Sequence, residues 1–290
     1  MSKADTVLIA GPTASGKSAL ALKLADERDG VIINADSMQV YELLRIVTAR
    51  PDERELAMAE HRLYGHVAVS DAYSTALWLK EAEAEIAKCH AAGKTAIIVG
   101  GTGLYFKALE EGLSHIPDPD PGVRSFWREF GRTRSGDLHG ELSKRDVEMA
   151  RLLRPSDTQR LVRALEVFDT TEKSIFYWQQ QGRQPSLVGP DAERLLVEPE
   201  RSVLHHRIDL RLDAMIEEGA LEEVRALMTL DLPLTLPAMK AIGVPQLADH
   251  LAGKTSLEVA VSAAKAATRQ YAKRQSTWFR NQLDASWYRV

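Results

Sequence analysis

A single cysteine, Cys89, among 290 residues excludes an internal disulfide, and with no Cys/His cluster beside it a structural zinc site is not expected. Cys89 falls in a helix-like stretch and reads as inert packing. No apolar run approaches the roughly 20 residues of a membrane-spanning helix, and Met1 to Asp5 lead into the first apolar run without a signal-like segment. A cytoplasmic chain with no membrane partner is expected. Net positive charge is also lacking: the total is −4, which by itself argues weakly against a nucleic-acid partner. The distribution is uneven, however. Residues 1–113 carry −4, 114–190 carry +1, 191–261 carry −6 and 262–290 carry +5, so positive charge collects at the C-terminus and partly in the middle. Internal repeats and low-complexity tracts are missing too, and 44% hydrophobic with 27% charged content is ordinary for a globular chain with a sizeable core.

Against these absences stands Gly11-Pro12-Thr13-Ala14-Ser15-Gly16-Lys17-Ser18, a complete phosphate-binding loop, reached directly from the apolar run Val7–Ala10. The glycines let backbone N–H groups turn inward around phosphate oxygens. Lys17 adds a point charge, and the Ser18 hydroxyl at the start of a helix can ligate Mg²⁺. All eight residues are therefore candidate diphosphate ligands.

Three runs, Thr6–Ala10, Val31–Ala35 and Thr95–Val99, are continuous in apolar residues as buried parallel strands are. Helix-like stretches at 17–28 and 74–92 separate them, which predicts an α/β fold: a P-loop-type parallel sheet core with helices on both faces. After Gly112 the texture changes. Pro117, Pro119 and Pro121 open an arginine-rich segment of helical composition with no convincing strand until Arg194–Val197. Residues 114–190 are read as an all-helical inserted domain within a catalytic core of 1–113 and 191–290. That core closes with a long amphipathic pattern over 203–228 and with C-terminal helices.

The second run ends Asn34-Ala35-Asp36-Ser37-Met38-Gln39, which puts a carboxylate just past the C-terminal edge of a parallel strand, where ligands bind in open α/β sheets. Asp36 is a candidate base or magnesium partner, and it can equally cap the following turn. The third run continues Gly100-Gly101-Thr102-Gly103-Leu104-Tyr105 and lacks the aspartate of a motor-type NTPase, which weakens an ATP-hydrolase reading. Its glycines suit close approach to a ligand, with Thr102 offering a hydroxyl, although a tight turn also needs them. Further on, Gln159, Arg160 and Arg163 stand within one helical turn and suit phosphates, base edges or simply solvent. Arg207 and Arg211, four apart, can reach a leaving diphosphate or pair with Asp209 and Asp213. Lys265, Arg269 and Lys273 recur at helical spacing among Tyr271 and Trp278. That pattern suits a nucleic-acid backbone, or a helix docking its aromatics on the core.

The ordered set of phosphate loop, Asn34–Tyr41, Gly100–Tyr105, Asp157–Glu166 and Thr268–Arg280 resembles the bacterial tRNA dimethylallyltransferases over nearly the whole chain. The resemblance implies transfer of a dimethylallyl group from dimethylallyl diphosphate to N6 of the adenine 3′ of the anticodon, with Mg²⁺ on the phosphates. It implies Asp36 as base, catalytic roles for Lys17, Thr102 and Arg211, and an insertion that clasps the anticodon stem-loop. The tRNA contacts it implies are Asp36, Ser37, Met38, Gln39, Thr102, Arg124, Gln159, Arg160, Leu161, Val162 and Arg163. A monomer is expected. Ser156, Val244 with Pro245, and Arg50 depart from the family pattern, so Val244 and Pro245 are not taken as site residues. Rival readings are an adenylate dimethylallyltransferase acting on free nucleotides, a small-molecule kinase, and a non-enzymatic P-loop RNA-binding module. The first two share the loop and Asp36, but the insertion fits tRNA.

Overall fold

The three apolar runs become three neighbouring parallel strands. In the computed structural model, which describes residues 6–181 and 188–290, the strands are β1 (Thr6–Ala10), β2 (Gly30–Asn34), β3 (Glu60–Arg62), β4 (Thr95–Gly100), β5 (Glu193–Leu196) and β6 (Tyr288–Arg289). They form one sheet in the order β3-β2-β4-β1-β5-β6, parallel throughout. Met1 to Asp5, read above as the lead into β1, lie outside the described residues, as do residues 182–187 near the end of the predicted insertion.

Helices α1 (Lys17–Arg28), α2 (Glu53–Met58), α3 (Thr75–Ala91) and α4 (Gly103–Glu111) connect or follow the first four strands. Strand periodicity decides which side chains meet which helix. Val7, Ile9, Ile32, Ile97 and Val99 face one way and bury against Ala21, Leu22, Leu24 and Ala25 of α1. On α3, Trp78 is fully buried and donates its indole N–H to the Asn34 carbonyl at 2.7 Å, tying that helix to the end of β2.

Residues up to Glu110 together with those from 188 onward form one compact unit, and Glu111 to Gln181 belong to a second. The second holds α5 (Pro121–Thr133), α6 (Leu138–Arg145), α7 (Val147–Leu152), α8 (Thr158–Thr171) and α9 (Ile175–Gln180), with no strand among the described residues. Its core is built on Trp127, Leu138, Leu142, Met149, Leu161 and Leu165. Each such side chain contributes about 1.5–3 kcal/mol by leaving water. The first unit ends with α10 (Arg201–Glu217), α11 (Ala220–Met228), α12 (Val244–Leu251) and α13 (Leu257–Gln282). The pattern over 203–228 is thus two helices rather than one, broken where Gly219 adopts φ +103°. No helix among the described residues is long and apolar enough to cross a membrane.

Register fixes where the chemistry gathers. Ala10 is level with Gly100 and with Leu196, and Asn34 with Val99. The residues that follow, Gly11, Ala35–Asp36 and Gly101–Thr102, therefore leave the sheet at one edge, the C-terminal edge of a parallel sheet.

Candidate active site

The phosphate loop turns on two left-handed residues, Ala14 at φ +63° and Gly16 at φ +99°, the second capping α1. Its turn is closed by Ser15 N–H to Pro12 O at 3.2 Å, and the Lys17 ammonium donates to the same carbonyl at 3.3 Å. Three side chains from distant helices brace it. Arg207 donates to Ser15 O at 3.0 Å, Arg211 to Thr13 Oγ1 at 3.3 Å, and Gln275 Oε1 accepts from Thr13 N–H at 2.9 Å. Arg207 and Arg211 thus turn to the loop, while Asp209 and Asp213 pair instead with Arg269 and Lys265.

Asp36 is held by its neighbour. The buried Asn34 accepts from Asp36 N–H at 2.9 Å and donates at 3.0 Å to both Asp36 O and Leu63 O, which fixes the chain as it leaves β2. One Asp36 oxygen, Oδ1, accepts from Met38 N–H at 2.9 Å, so the turn-capping role is real and leaves Oδ2 for other partners. Thr102 Oγ1 accepts from Ser37 N–H at 2.9 Å and lies 3.3 Å from Ser37 Oγ, joining the loops after β2 and β4. The glycines before it are required by close contacts within the protein. A Cβ on Gly100 would stand 2.0 Å from Ala35 O, and one on Gly101 2.2 Å from Gln275 Nε2.

A cleft of about 290 Å³ is lined by Thr13, Ala14, Gly16, Lys17 and Ser18 of the loop together with Asp36, Gln39 and Arg211. Burial in this cleft lowers the Lys17 ammonium to about 8; the Asp36 carboxylate opposes that shift and Arg211 adds to it. Burial lowers the Arg211 guanidinium as well, again against the pull of Asp36. Lys17 and Arg211 are thus two desolvated cations sharing one nearby carboxylate, an arrangement suited to a ligand bringing more negative charge.

Sequence reasoning gave no role here to Arg45, Arg50, Tyr64 and Gln275. Arg45, Arg50 and Tyr64 line the cleft. Arg50 donates to the carbonyls of Tyr41 and Glu42 at 2.7 and 3.0 Å. Gln39 donates to Thr48 O and Ala49 O, both at 2.8 Å, so it braces the same loop. That loop is also anchored by Glu223 of α11, whose carboxylate accepts from the N–H groups of Arg45, Ile46 and Val47 at 2.8, 2.8 and 2.9 Å. Glu223→Ala leaves those three donors to water or to nothing, a loss of about 1–2 kcal/mol. Thermal unfolding is expected to fall by about 2–6 °C, and an unchanged midpoint would show that the loop holds itself.

The basic ladder of α13 is only partly available. Lys265 and Arg269 are spent on Asp213 and Asp209, so the reading of one continuous nucleic-acid stripe is corrected to the exposed Lys273, Arg274 and Arg280, the last paired with Glu198 at 3.3 Å. Trp278 packs against Gly103 and Phe279 is buried, as a docked helix requires. Tyr271 engages the side chains of Thr102 and Gln275; burial, with the charge of Asp36, raises its hydroxyl.

In the helical unit, Asp157 caps α8 by accepting from Arg160 N–H at 3.3 Å. Gln159 and Arg160 are exposed, with Arg160 only 3.6 Å from Asp157, and the half-exposed Arg163 lies 3.6 Å from Glu166. Leu161 must be withdrawn as a contact: it is fully buried in this unit's core beside Leu165, because the apolar stripe of α8 passes through it. Val162 is half-buried against the same core. Arg124 pairs with Asp118 at 3.5 Å, and its Nε is buried without a partner among the described residues. Val244 is buried and Ser156 is exposed. Cys89 is buried, as expected of packing.

A family model described as IPP transferase matches residues 39–282. The chain is 54% identical to a tRNA dimethylallyltransferase of Rhizobium meliloti over 288 residues, 99% of this chain and 95% of that one. It is 52% identical to the tRNA dimethylallyltransferase of Agrobacterium fabrum, covering 99% and 96%. Among solved structures, the tRNA isopentenylpyrophosphate transferase of Bacillus halodurans superposes with a TM-score of 0.70 at 32% identity, covering 99% of this chain and 90% of that one. A eukaryotic dimethylallyltransferase acting on tRNA gives 0.83 at 28% identity, covering 99% and 74%.

Proposed function

Because the chain belongs to the tRNA dimethylallyltransferase family, we propose that it transfers the dimethylallyl group of dimethylallyl diphosphate to N6 of the adenine just 3′ of the anticodon, giving N6-isopentenyladenosine in tRNA. The observation that carries this reading is one cleft holding the phosphate loop, two desolvated cations and the Asp36 carboxylate.

The chemistry asks for help at both ends of the new bond. An adenine amino group is a weak nucleophile because its lone pair is delocalised into the ring. Asp36 takes the N6 proton as the N–C bond forms. The breaking C–O bond leaves its electron pair on diphosphate, which loop N–H groups, Lys17 and Arg211 stabilise. Ser15 Oγ, buried and unpartnered among the described residues, is a further donor for a phosphate oxygen. The residues fit a magnesium ion that arrives with the substrate: Ser18 and the Asp36 carboxylate line the same cleft, and Mg²⁺ commonly takes one or two protein oxygens plus phosphates and waters. Ser18 would hold such an ion, which would supply charge neutralisation for the leaving diphosphate. Ser37, Met38, Gln39 and Thr102 are assigned to contacts with the tRNA beside Asp36: Ser37 and Met38 through the turn that follows it, and Thr102 through its bond to Ser37 N–H.

Reaching N6 requires taking the base out of its stack, at a cost of a few kcal/mol that a single-stranded loop keeps low. The helical unit supplies tRNA contacts through Arg124, Gln159, Arg160 and Arg163, and the enzyme acts as a cytoplasmic monomer. Arg160→Ala and Arg163→Ala are each expected to raise KM for tRNA with kcat retained and to reduce the salt slope of binding by about 0.7–0.9. Unchanged slopes would mean that these arginines serve only Asp157 and Glu166.

The test is a transfer assay with Mg²⁺ and labelled dimethylallyl diphosphate, offering unmodified tRNA or AMP in separate tubes. Label is expected in tRNA alone. Label in AMP alone would replace the reading with a free-nucleotide transferase, and label in neither would overturn transfer altogether.

A further inference from the structure

The two loops that must meet across the reacting bond come from different strands, and one buried side chain joins them. Gln275, on α13, is only 5% exposed. Its amide oxygen accepts from Thr13 N–H at 2.9 Å in the phosphate loop, and its amide nitrogen donates to Gly101 O at 2.8 Å in the loop after β4. Both bonds run to backbone, so the orientation of the amide is forced: Thr13 offers only a donor and Gly101 only an acceptor. Each loop then continues into the chemistry. Thr13 Oγ1 receives Arg211, and the residue after Gly101 is Thr102, whose hydroxyl accepts from Ser37 N–H next to Asp36. Tyr271, one turn earlier on α13, engages Gln275 and Thr102 together. A side chain at position 101 would collide with the Gln275 amide, so Gly101 exists to let the tie pass.

We infer that Gln275 is a positioning residue: it sets the distance between the loop that holds the diphosphate and the loop after β4, whose Thr102 in turn holds the Ser37 N–H beside Asp36. The inference rests on the transfer reaction proposed above. It assigns Gln275 no contact with either substrate. Its effect lies in the alignment of the two, where a displacement of about 1 Å costs up to a hundredfold in rate.

Two volume-matched variants separate this role from mere packing. Gln275→Glu keeps an acceptor for Thr13 N–H but sets an oxygen against Gly101 O. Gln275→Met removes both bonds without adding charge. Hydrogen exchange is expected to quicken in residues 100–105 alone for Gln275→Glu, and in both 11–18 and 100–105 for Gln275→Met. In steady state, kcat is expected to fall about tenfold to a hundredfold in both. Binding of magnesium pyrophosphate and of tRNA, each measured alone, should stay within about threefold of wild type, and the unfolding midpoint, although lowered by the loss of buried bonds, should stay above the assay temperature. Unchanged exchange in both loops overturns the inference whatever the activity. So does wild-type kcat, or a loss traced wholly to weaker binding of one substrate or to unfolding at the assay temperature. A wild-type enzyme that transfers nothing, with the exchange pattern as expected, sinks the proposed reaction but leaves the tie between the loops standing.

Discussion

Asp36→Asn is expected to bind magnesium pyrophosphate and tRNA and to transfer about a hundredfold to ten-thousandfold more slowly than wild type, the usual contribution of a positioned general base. The substitution is chosen for what it spares. An asparagine oxygen still accepts from Met38 N–H, and Asn34 still grips the backbone on either side, so the turn keeps its shape. What disappears is a charge and a basic oxygen. Because the Asp36 carboxylate is the negative neighbour of both Lys17 and Arg211, its loss also leaves those cations less neutralised before the donor arrives. Pyrophosphate affinity is therefore expected to hold or rise while turnover collapses. That divergence separates a base from a binding residue, for which affinity and rate fall together. Single-turnover transfer with saturating tRNA is the deciding measurement, and a wild-type rate in Asp36→Asn would remove the carboxylate from the mechanism.

Asp36 and the phosphate loop were legible in the sequence because their chemistry is local. Eight contiguous residues make the loop, and a carboxylate one residue past an apolar run is placed by the strand before it. The sheet followed from the same runs, apart from β3 and β6, three and two residues long, which offer too little pattern to stand out. What stayed hidden depends on partners far along the chain. Glu223 clamps a loop 176–178 positions away, and Gln275 reaches Thr13 across 262 positions and Gly101 across 174. No spacing rule encodes such pairs. The same distance explains why the sequence left two readings of α13 open: the partners of Lys265 and Arg269 lie 52 and 60 residues earlier, on α10. Leu161 was misplaced for a different reason. A motif read as a string makes every member a contact, whereas a helix turns one in three or four of its residues to the core.

Lys17→Met is expected to make the substrate-free protein more stable and nearly inactive. The Lys17 ammonium is held in the folded cleft at about 8, against 10.5 for the free side chain, mainly because burial strips its water. Below pH 8 folding must therefore carry a desolvated charge, and linkage puts that cost at about 3 kcal/mol. Between pH 8 and 10.5 the unfolded chain binds a proton there that the folded one does not, so wild-type stability should rise with pH across that window. In Lys17→Met this rise should vanish and the midpoint at pH 7 should be higher, less whatever the new side chain loses in packing. Diphosphate reverses the sign. Its charge restores the proton to Lys17, so wild-type affinity for magnesium pyrophosphate should weaken as pH climbs through 8, with proton uptake on binding. Lys17→Met should lose about a hundredfold or more in kcat/KM and show little thermal shift with pyrophosphate. Differential scanning calorimetry at pH 7 and 9, with and without magnesium pyrophosphate, reads all of this at once. A variant less stable than wild type at pH 7 yet still shifted by pyrophosphate would show that Lys17 is a structural cation paired with Asp36, and that the loop's backbone binds the phosphates without it.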